Sequence, residues 1–122
     1  MQRHEGIAAW YAGRLHKWAA YDRESGELVG RGGLSRIVLE GQPCLEVGWV
    51  VRPDLWGRGF ASEIARAALA FGFDELGADE IVAFTERHNV RSRAVMERVG
   101  MHYQREFQFN RAPFVRYVIG RG

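Results

Sequence analysis

Val50-Val51-Arg52-Pro53-Asp54-Leu55-Trp56-Gly57-Arg58-Gly59-Phe60-Ala61 is the stretch that decides the fold of this 122-residue chain. It joins an apolar run ending at Val51 to a segment with a different period. There, apolar residues recur at Phe60, Ile64, Ala68 and Phe71, and again at Ala61, Ala65 and Leu69. The first part has strand character and the second has the spacing of an amphipathic helix, Phe60–Leu76. Gly57 and Gly59 let the backbone turn tightly and let a ligand approach without Cβ clashes. The first N–H groups of the helix point outward without intrahelical partners. A phosphate or pyrophosphate suits those amides and the positive end of the helix dipole. The candidate contacts are Gly57, Arg58, Gly59, Phe60, Ala61 and Ser62, with Arg58 adding a charge and Ser62 a hydroxyl. A glycine-rich turn that holds nothing is the alternative. A P-loop is excluded because no Gly-Lys-Ser/Thr follows. A Rossmann site is disfavoured: Ser62 replaces the third glycine, and the strands before the loop form no βαβ unit.

Outward from this loop the chain divides readily. Lys17–Asp22, Leu28–Glu40 and Cys44–Val51 read as an antiparallel meander, turned at 23–27 and at Gly41-Gln42-Pro43. Gly30, Gly32 and Gly33 predict a bulge or a close backbone approach. The opening Ile7–Leu15 reads as the end of a helix. On the other side, Ile81–Phe84 is short and wholly apolar, as a strand buried on both faces would be. Asn89 can cap a helix over Val90–Val99 that stops at Gly100. Tyr103–Phe109 alternates, with Tyr103, Arg105, Phe107 and Phe109 on one side. Phe114–Ile119 reads as the last strand. The order is (α)-β-β-β-α-β-α-β-β, an α+β (mixed α/β) fold with a largely antiparallel sheet flanked by helices. One domain over residues 1–122 is expected from the length.

Composition narrows the function. Apolar residues make up 47% and charged residues 26%, ordinary globular usage that leaves room for a core. No run is long enough to span a bilayer, and the first residues lack the apolar region of a signal peptide. A soluble cytoplasmic protein is expected. Cys44, the single cysteine, excludes an internal disulfide and a multi-cysteine zinc site, and reads as a small core residue. His4, His16, His88 and His102 have no ligand spacing, so no metal is expected. Residues 1–85 carry 9 basic and 12 acidic side chains, residues 86–122 carry 8 and 3. That asymmetry fits an anionic partner or an arginine-rich solvated face. Nucleic acid is the weakest of the partner readings.

A second segment extends the first: His88-Asn89-Val90-Arg91-Ser92-Arg93-Ala94-Val95-Met96-Glu97-Arg98-Val99-Gly100-Met101. Together the two resemble the GNAT superfamily of acetyl-CoA-dependent N-acetyltransferases, in its pyrophosphate loop and in its following Asn-x-x-(Ser/Ala) helix. The Trp-Gly-x-Gly-(Phe/Tyr)-Ala and Asn-x-x-Ser forms are closest to the branch that includes the ribosomal-protein N-terminal acetyltransferases. The likeness runs from about Lys17 to Tyr117. Asp54, Arg98 and Met101 depart mildly from the pattern. Met96 stands where many relatives carry a tyrosine proposed as the general acid. The family also places a first strand and a helix pair ahead of Lys17–Asp22, where this sequence is short. A fragment, a natural truncation or a wall supplied by another subunit would each account for that.

The resemblance implies acetyl-CoA as co-substrate and acetyl transfer to a primary amine, on a protein N-terminus or a small molecule, by direct attack in a ternary complex. It assigns Glu46 as the base that takes the amine proton, since an amine of pKa roughly 8–10 must be neutral to attack. A merely solvent-facing Glu46 is the alternative. Ser92 would protonate the thiolate or touch the pantetheine arm, and Tyr103 is a weaker substitute. Backbone amides of Trp49, Val50 and Val51 would polarise the carbonyl beside a splayed strand, for which Gly48 provides the distortion. Asn89 would bond the arm. The four tryptophans read as packing residues, Trp49 also lining the cleft. A homodimer is expected to cover an exposed sheet edge. A non-catalytic CoA-binding fragment or sensor is the alternative function.

Overall fold

The computed structural model describes the backbone of residues 8–10 and 15–122, and the side chains from residue 16 onward. The elements are β1 (Ala8–Trp10), β2 (Leu15–Tyr21), β3 (Leu28–Leu39), β4 (Gln42–Val51), α1 (Phe60–Asp74), β5 (Glu80–Glu86), α2 (Val90–Arg98), β6 (His102–Phe109) and β7 (Ala112–Gly120). They form a seven-stranded sheet in the order β1-β2-β3-β4-β5-β7-β6. Every neighbouring pair is antiparallel except β4 and β5. That α+β architecture matches the sequence reading from β2 onward.

The opening differs. Ile7–Leu15 was expected to end a helix, but Ala8–Trp10 is a strand paired to β2 as Ala8↔Ala19, and Leu15 opens β2 itself. The other residues of that stretch lie outside the described residues. A short apolar run is ambiguous by periodicity, and pairing with the exposed edge of β2 satisfies its backbone groups.

Both helices lie on one face of the sheet. Ala68 and Leu69 of α1, and Met96 of α2, pack with Leu34, Val47, Ile81, Ala83, Val115 and Tyr117 in one core. A second, smaller core joins Phe60 and Ile64 to Ala20, Val29 and Val51 beside the glycine loop. The glycines of β3 make these contacts possible. A Cβ on Gly32 would run into Cγ2 of Ile64, and one on Gly33 into the carbonyl oxygen of His16. The expected bulge lies opposite Ala20 and Tyr21.

A polar anchor ties α2 down. Tyr117, fully buried, donates from its hydroxyl to Oε2 of Glu97 at 2.9 Å and accepts from Nε of Arg93 at 3.2 Å. Arg93 also donates to the carbonyl of Arg87, just before α2.

The alternation expected in β6 breaks once. A bulge between Tyr103 and Arg105 shifts the phase, so Tyr103 packs edge-on against Tyr117 on the helical face. Arg105, Phe107 and Phe109 take the opposite face. The extra residue, Gln104, accepts a hydrogen bond from Arg116 at 2.6 Å.

Gly33→Ala is expected to destabilise the fold by more than about 2 kcal/mol, because its neighbour is backbone and cannot rotate away. Urea unfolding of the two proteins side by side measures it, and an unchanged midpoint would show that β2 and β3 can separate freely.

Candidate acyl-transfer site

The site is built where β4 and β5 part. Their parallel register shares the single pair Glu46↔Val82. Beyond it the β5-side edge of β4, through Gly48, Trp49, Val50 and Val51, has no strand partner among the described residues. Parallel strands left unpaired expose donors and acceptors that a ligand can meet.

Two adjoining cavities follow this edge on the helical face. The smaller, about 190 Å³, is lined by Trp49, Val50, Val51, Ala61, Asn89 and Ser92, among others. The larger, about 560 Å³, opens between α1 and α2 and is lined in part by Gly57, Gly59, Phe60, Ala61, Ser62 and Arg98. The sequence reading therefore placed its binding candidates on one continuous groove, apart from Arg58. That residue lies outside both linings, its guanidinium 5.7 Å from the centre of the Phe60 ring.

The loop geometry explains the groove. Gly57 and Gly59 take φ of +82° and +86°, a left-handed conformation that other residues adopt at a cost. A Cβ on either would point into open space, so the loop is not shaped by packing. Gly59 is also the residue preceding α1, and no side chain caps that helix. Its first amides face the larger cavity. Asn89 caps α2 by accepting from the amide of Ser92 at 3.1 Å, which leaves its side-chain NH₂ as the group that can donate into the groove. Ser62 is buried, and its hydroxyl accepts from Arg98 at 3.3 Å.

Residues the sequence reading left aside complete the walls. The guanidinium of Arg91 stacks 3.4 Å from the centre of the Trp56 ring, and Trp56 donates from Nε1 to the carbonyl of Val51 at 3.0 Å. Trp56 was expected to be a packing residue. It is instead 44% exposed and bridges loop, strand edge and α2. Arg66 and Arg98 add positive charge to the larger cavity. Arg98 belongs to the arginine excess of residues 86–122, Arg66 does not, and charge count alone does not say which arginines converge. Arg52 is used elsewhere, in ion pairs with Asp54 and Glu27.

Glu46 lies outside the groove, on the opposite face of the sheet, beside the parting. Its Oε2 sits 3.6 Å from where a Cβ on Gly48 would be, so the carboxylate leans along β4 toward the gap. Burial pushes its pKa up to about 7, with Lys17 pulling in the other direction. Cys44, expected in the core, is only half-buried; burial raises its thiol pKa. Met96 is a core residue, 2% exposed. No cluster of potential metal ligands occurs among the described residues, and none of their helices is long and apolar enough to cross a membrane.

A mixed sheet split beside a glycine turn and a helix start is the architecture of an acyl-CoA acyltransferase domain. Comparison with known proteins agrees. The family model of the acetyltransferase (GNAT) domain matches residues 1–102. The Bacillus subtilis uncharacterized protein YkkB is 34% identical over 100 residues, 82% of this chain and 58% of its own length. The uncharacterized N-acetyltransferase YnaD of the same organism is 37% identical over 68 residues, 56% of this chain and 40% of its own. The structure of a GNAT-family acetyltransferase from Bacillus anthracis superposes with a TM-score of 0.71 at 29% identity, covering 85% of this chain and 65% of that one. The chain belongs to the GNAT acetyltransferase family, an enzyme family that generally uses acetyl-CoA, and it spans about half the length of the curated relatives it matches.

Two outcomes are expected. Gly57→Val should weaken acetyl-CoA binding at least about tenfold, since the branched side chain enters the ligand side and disfavours the positive φ; calorimetric titration of both proteins measures it, and equal affinities would remove the loop from the site. Glu46 reports on itself through stability. Because its folded pKa lies above its unfolded value, the folded state holds the proton more tightly, and the charge costs stability as pH rises from about 4.5 to about 7. Glu46→Gln should therefore raise the melting temperature more at pH 8 than at pH 4, and an equal change at both would mean the carboxylate is well hydrated.

Proposed function

We propose that this protein transfers an acetyl group from acetyl-CoA to a primary amine by direct attack in a ternary complex. The observation that carries the reading is the placement of Glu46. It is a half-buried carboxylate with a pKa near neutrality, beside the point where the parallel strands part, and across the sheet from the glycine-loop groove. On this reading acetyl-CoA lies along the groove. Its pyrophosphate meets the amides that open α1, and its pantetheine arm pairs with the free edge of β4. The thioester carbonyl then faces the backbone amides near Trp49–Val51, which stabilise the oxyanion as the amine attacks.

The chemistry balances simply. The amine loses its proton to Glu46, its nitrogen forms the new C–N bond, and the C–S bond breaks. The thiolate then needs a proton. Ser92, on the wall of the smaller cavity, is our candidate donor; Tyr103 is disfavoured because the β6 bulge turns it against Tyr117. Asn89 orients the arm through its side-chain NH₂. The acceptor is a protein N-terminus or a small-molecule amine, the former supported by the Trp56–Ala61 and Asn89–Ser92 motifs. A cytoplasmic enzyme, one domain over the whole chain and a homodimer remain part of the proposal. Solution mass, measured with the binding titration, tests the last of these.

Glu46→Gln should leave acetyl-CoA affinity nearly intact and lower kcat by about 10²-fold. In the parent enzyme the acid limb of kcat/KM should include a group near pH 7. In the variant that inflection should vanish and leave only the titration of the amine. Parental turnover across the whole pH range would rule Glu46 out as the base.

A further inference from the structure

At the mouth of the β4–β5 parting, on the face of Glu46, four phenylalanines from three strands converge. The Phe84 ring of β5 lies 5.4 Å from Phe109 and 6.1 Å from Phe107 of β6, and 6.0 Å from Phe114 of β7. Phe109 and Phe114 are 5.1 Å apart, edge to face. The cluster belongs to neither hydrophobic core, and Phe109 is 36% exposed. Beside it, Phe84, Thr85, Glu86, His88, Asn89 and Phe114 line a cavity of about 440 Å³.

Position links this cavity to the reaction. Phe84 stands two residues beyond Val82, the partner of Glu46, and points to the same face, roughly 7 Å along the strand. Across the gap β4 offers Gly48, which has no side chain to close the way. Asn89 borders both this cavity and the groove on the helical face, so the two openings meet at the parting.

We propose that this cavity receives the acceptor, and that the acceptor is a primary amine held by a short linker on an aromatic or comparably apolar body. The inference rests on the transferase reading above. A ring lying in the cavity against Phe84 and Phe114 would find edge and face partners of the kind aromatic side chains make with one another. Its amine would reach toward Glu46. Glu86 at the cavity rim draws the protonated amine inward without forming the row of carboxylates that a polyamine needs for its several charges.

The test is steady-state acetylation by the purified protein, followed by release of the CoA thiol. The amines are phenethylamine, tryptamine and phenylalaninamide against putrescine and spermidine. The aromatic amines should show kcat/KM at least about tenfold higher. Phe84→Ala should erase that preference mainly through KM, with acetyl-CoA affinity unchanged. Phe114→Leu, which keeps an apolar side chain, gives the same readout if the first variant fails to fold. Turnover that favours the polyamines leaves the transferase standing and overturns the inference. Acetyl-CoA binding with none of these amines acetylated overturns the inference, and the transferase reading falls with it only when peptides with free N-termini also fail to turn over. Phenylalanine variants that lose stability or change the mass in solution while keeping the selectivity overturn it as well; the cluster would then be a packing face for another chain.

Discussion

The parting of two parallel strands is the constraint on which the rest of this structure depends. β4 and β5 share one register pair, Glu46↔Val82, and then diverge. A strand edge left open inside a sheet is costly unless water or a ligand pairs its backbone groups. Here the opening is held apart from both sides. Phe60 and Ile64 of α1 pack on Val51 and fix the end of β4. Tyr117, Glu97 and Arg93 fix α2 behind β5. β4 and β5 share the larger core through Val47 and Ala83, and the end of β4 also enters the smaller one through Val51.

That arrangement sorts chemistry onto two faces. The helical face gathers groups that suit a long, anionic ligand: the uncapped start of α1, the cap residue Asn89, and Arg66, Arg91 and Arg98. The opposite face carries a desolvated carboxylate and aromatic rings. A phosphate would be repelled by Glu46, and an ammonium group would find no partner among the arginines. On the function proposed above, the sheet would separate two ligands of opposite charge and the gap would let their reacting atoms meet.

The elements from β2 to β7 were legible because their patterns are strong. The helical period from Phe60, the apolar run at Ile81–Phe84 and the cap at Asn89 each rest on local physics that tertiary packing did not override. The loop residues Gly57–Ser62 could be read from a glycine turn ahead of a helix, whereas Trp49–Val51, Asn89 and Ser92 came from the family resemblance, and the fold lines all of these but Arg58 along one groove. What escaped was set by long-range geometry. Trp56 reads as a core residue by type, yet its indole N–H is claimed by the Val51 carbonyl and its face by Arg91. Tyr103 was displaced by a bulge whose extra residue, Gln104, is held by Arg116 from the next strand. Ala8–Trp10 became a strand because β2 offered it an edge.

Glu46 shows how placement and chemistry come from one choice of residue. On the last register pair before the gap, its backbone holds the strands together while its side chain leans over Gly48 toward the space where they separate. A Cβ at position 48 would meet the carboxylate at 3.6 Å, an ordinary contact, so longer side chains are the ones that would crowd the passage. Burial raises its proton affinity to about neutrality, and Lys17 keeps the rise from going further. For the base proposed above, a more solvated glutamate would hold the proton too weakly and a more buried one too tightly. The same desolvation that makes the residue useful makes it a burden on the fold, and the packing of the sheet around it has to carry that cost.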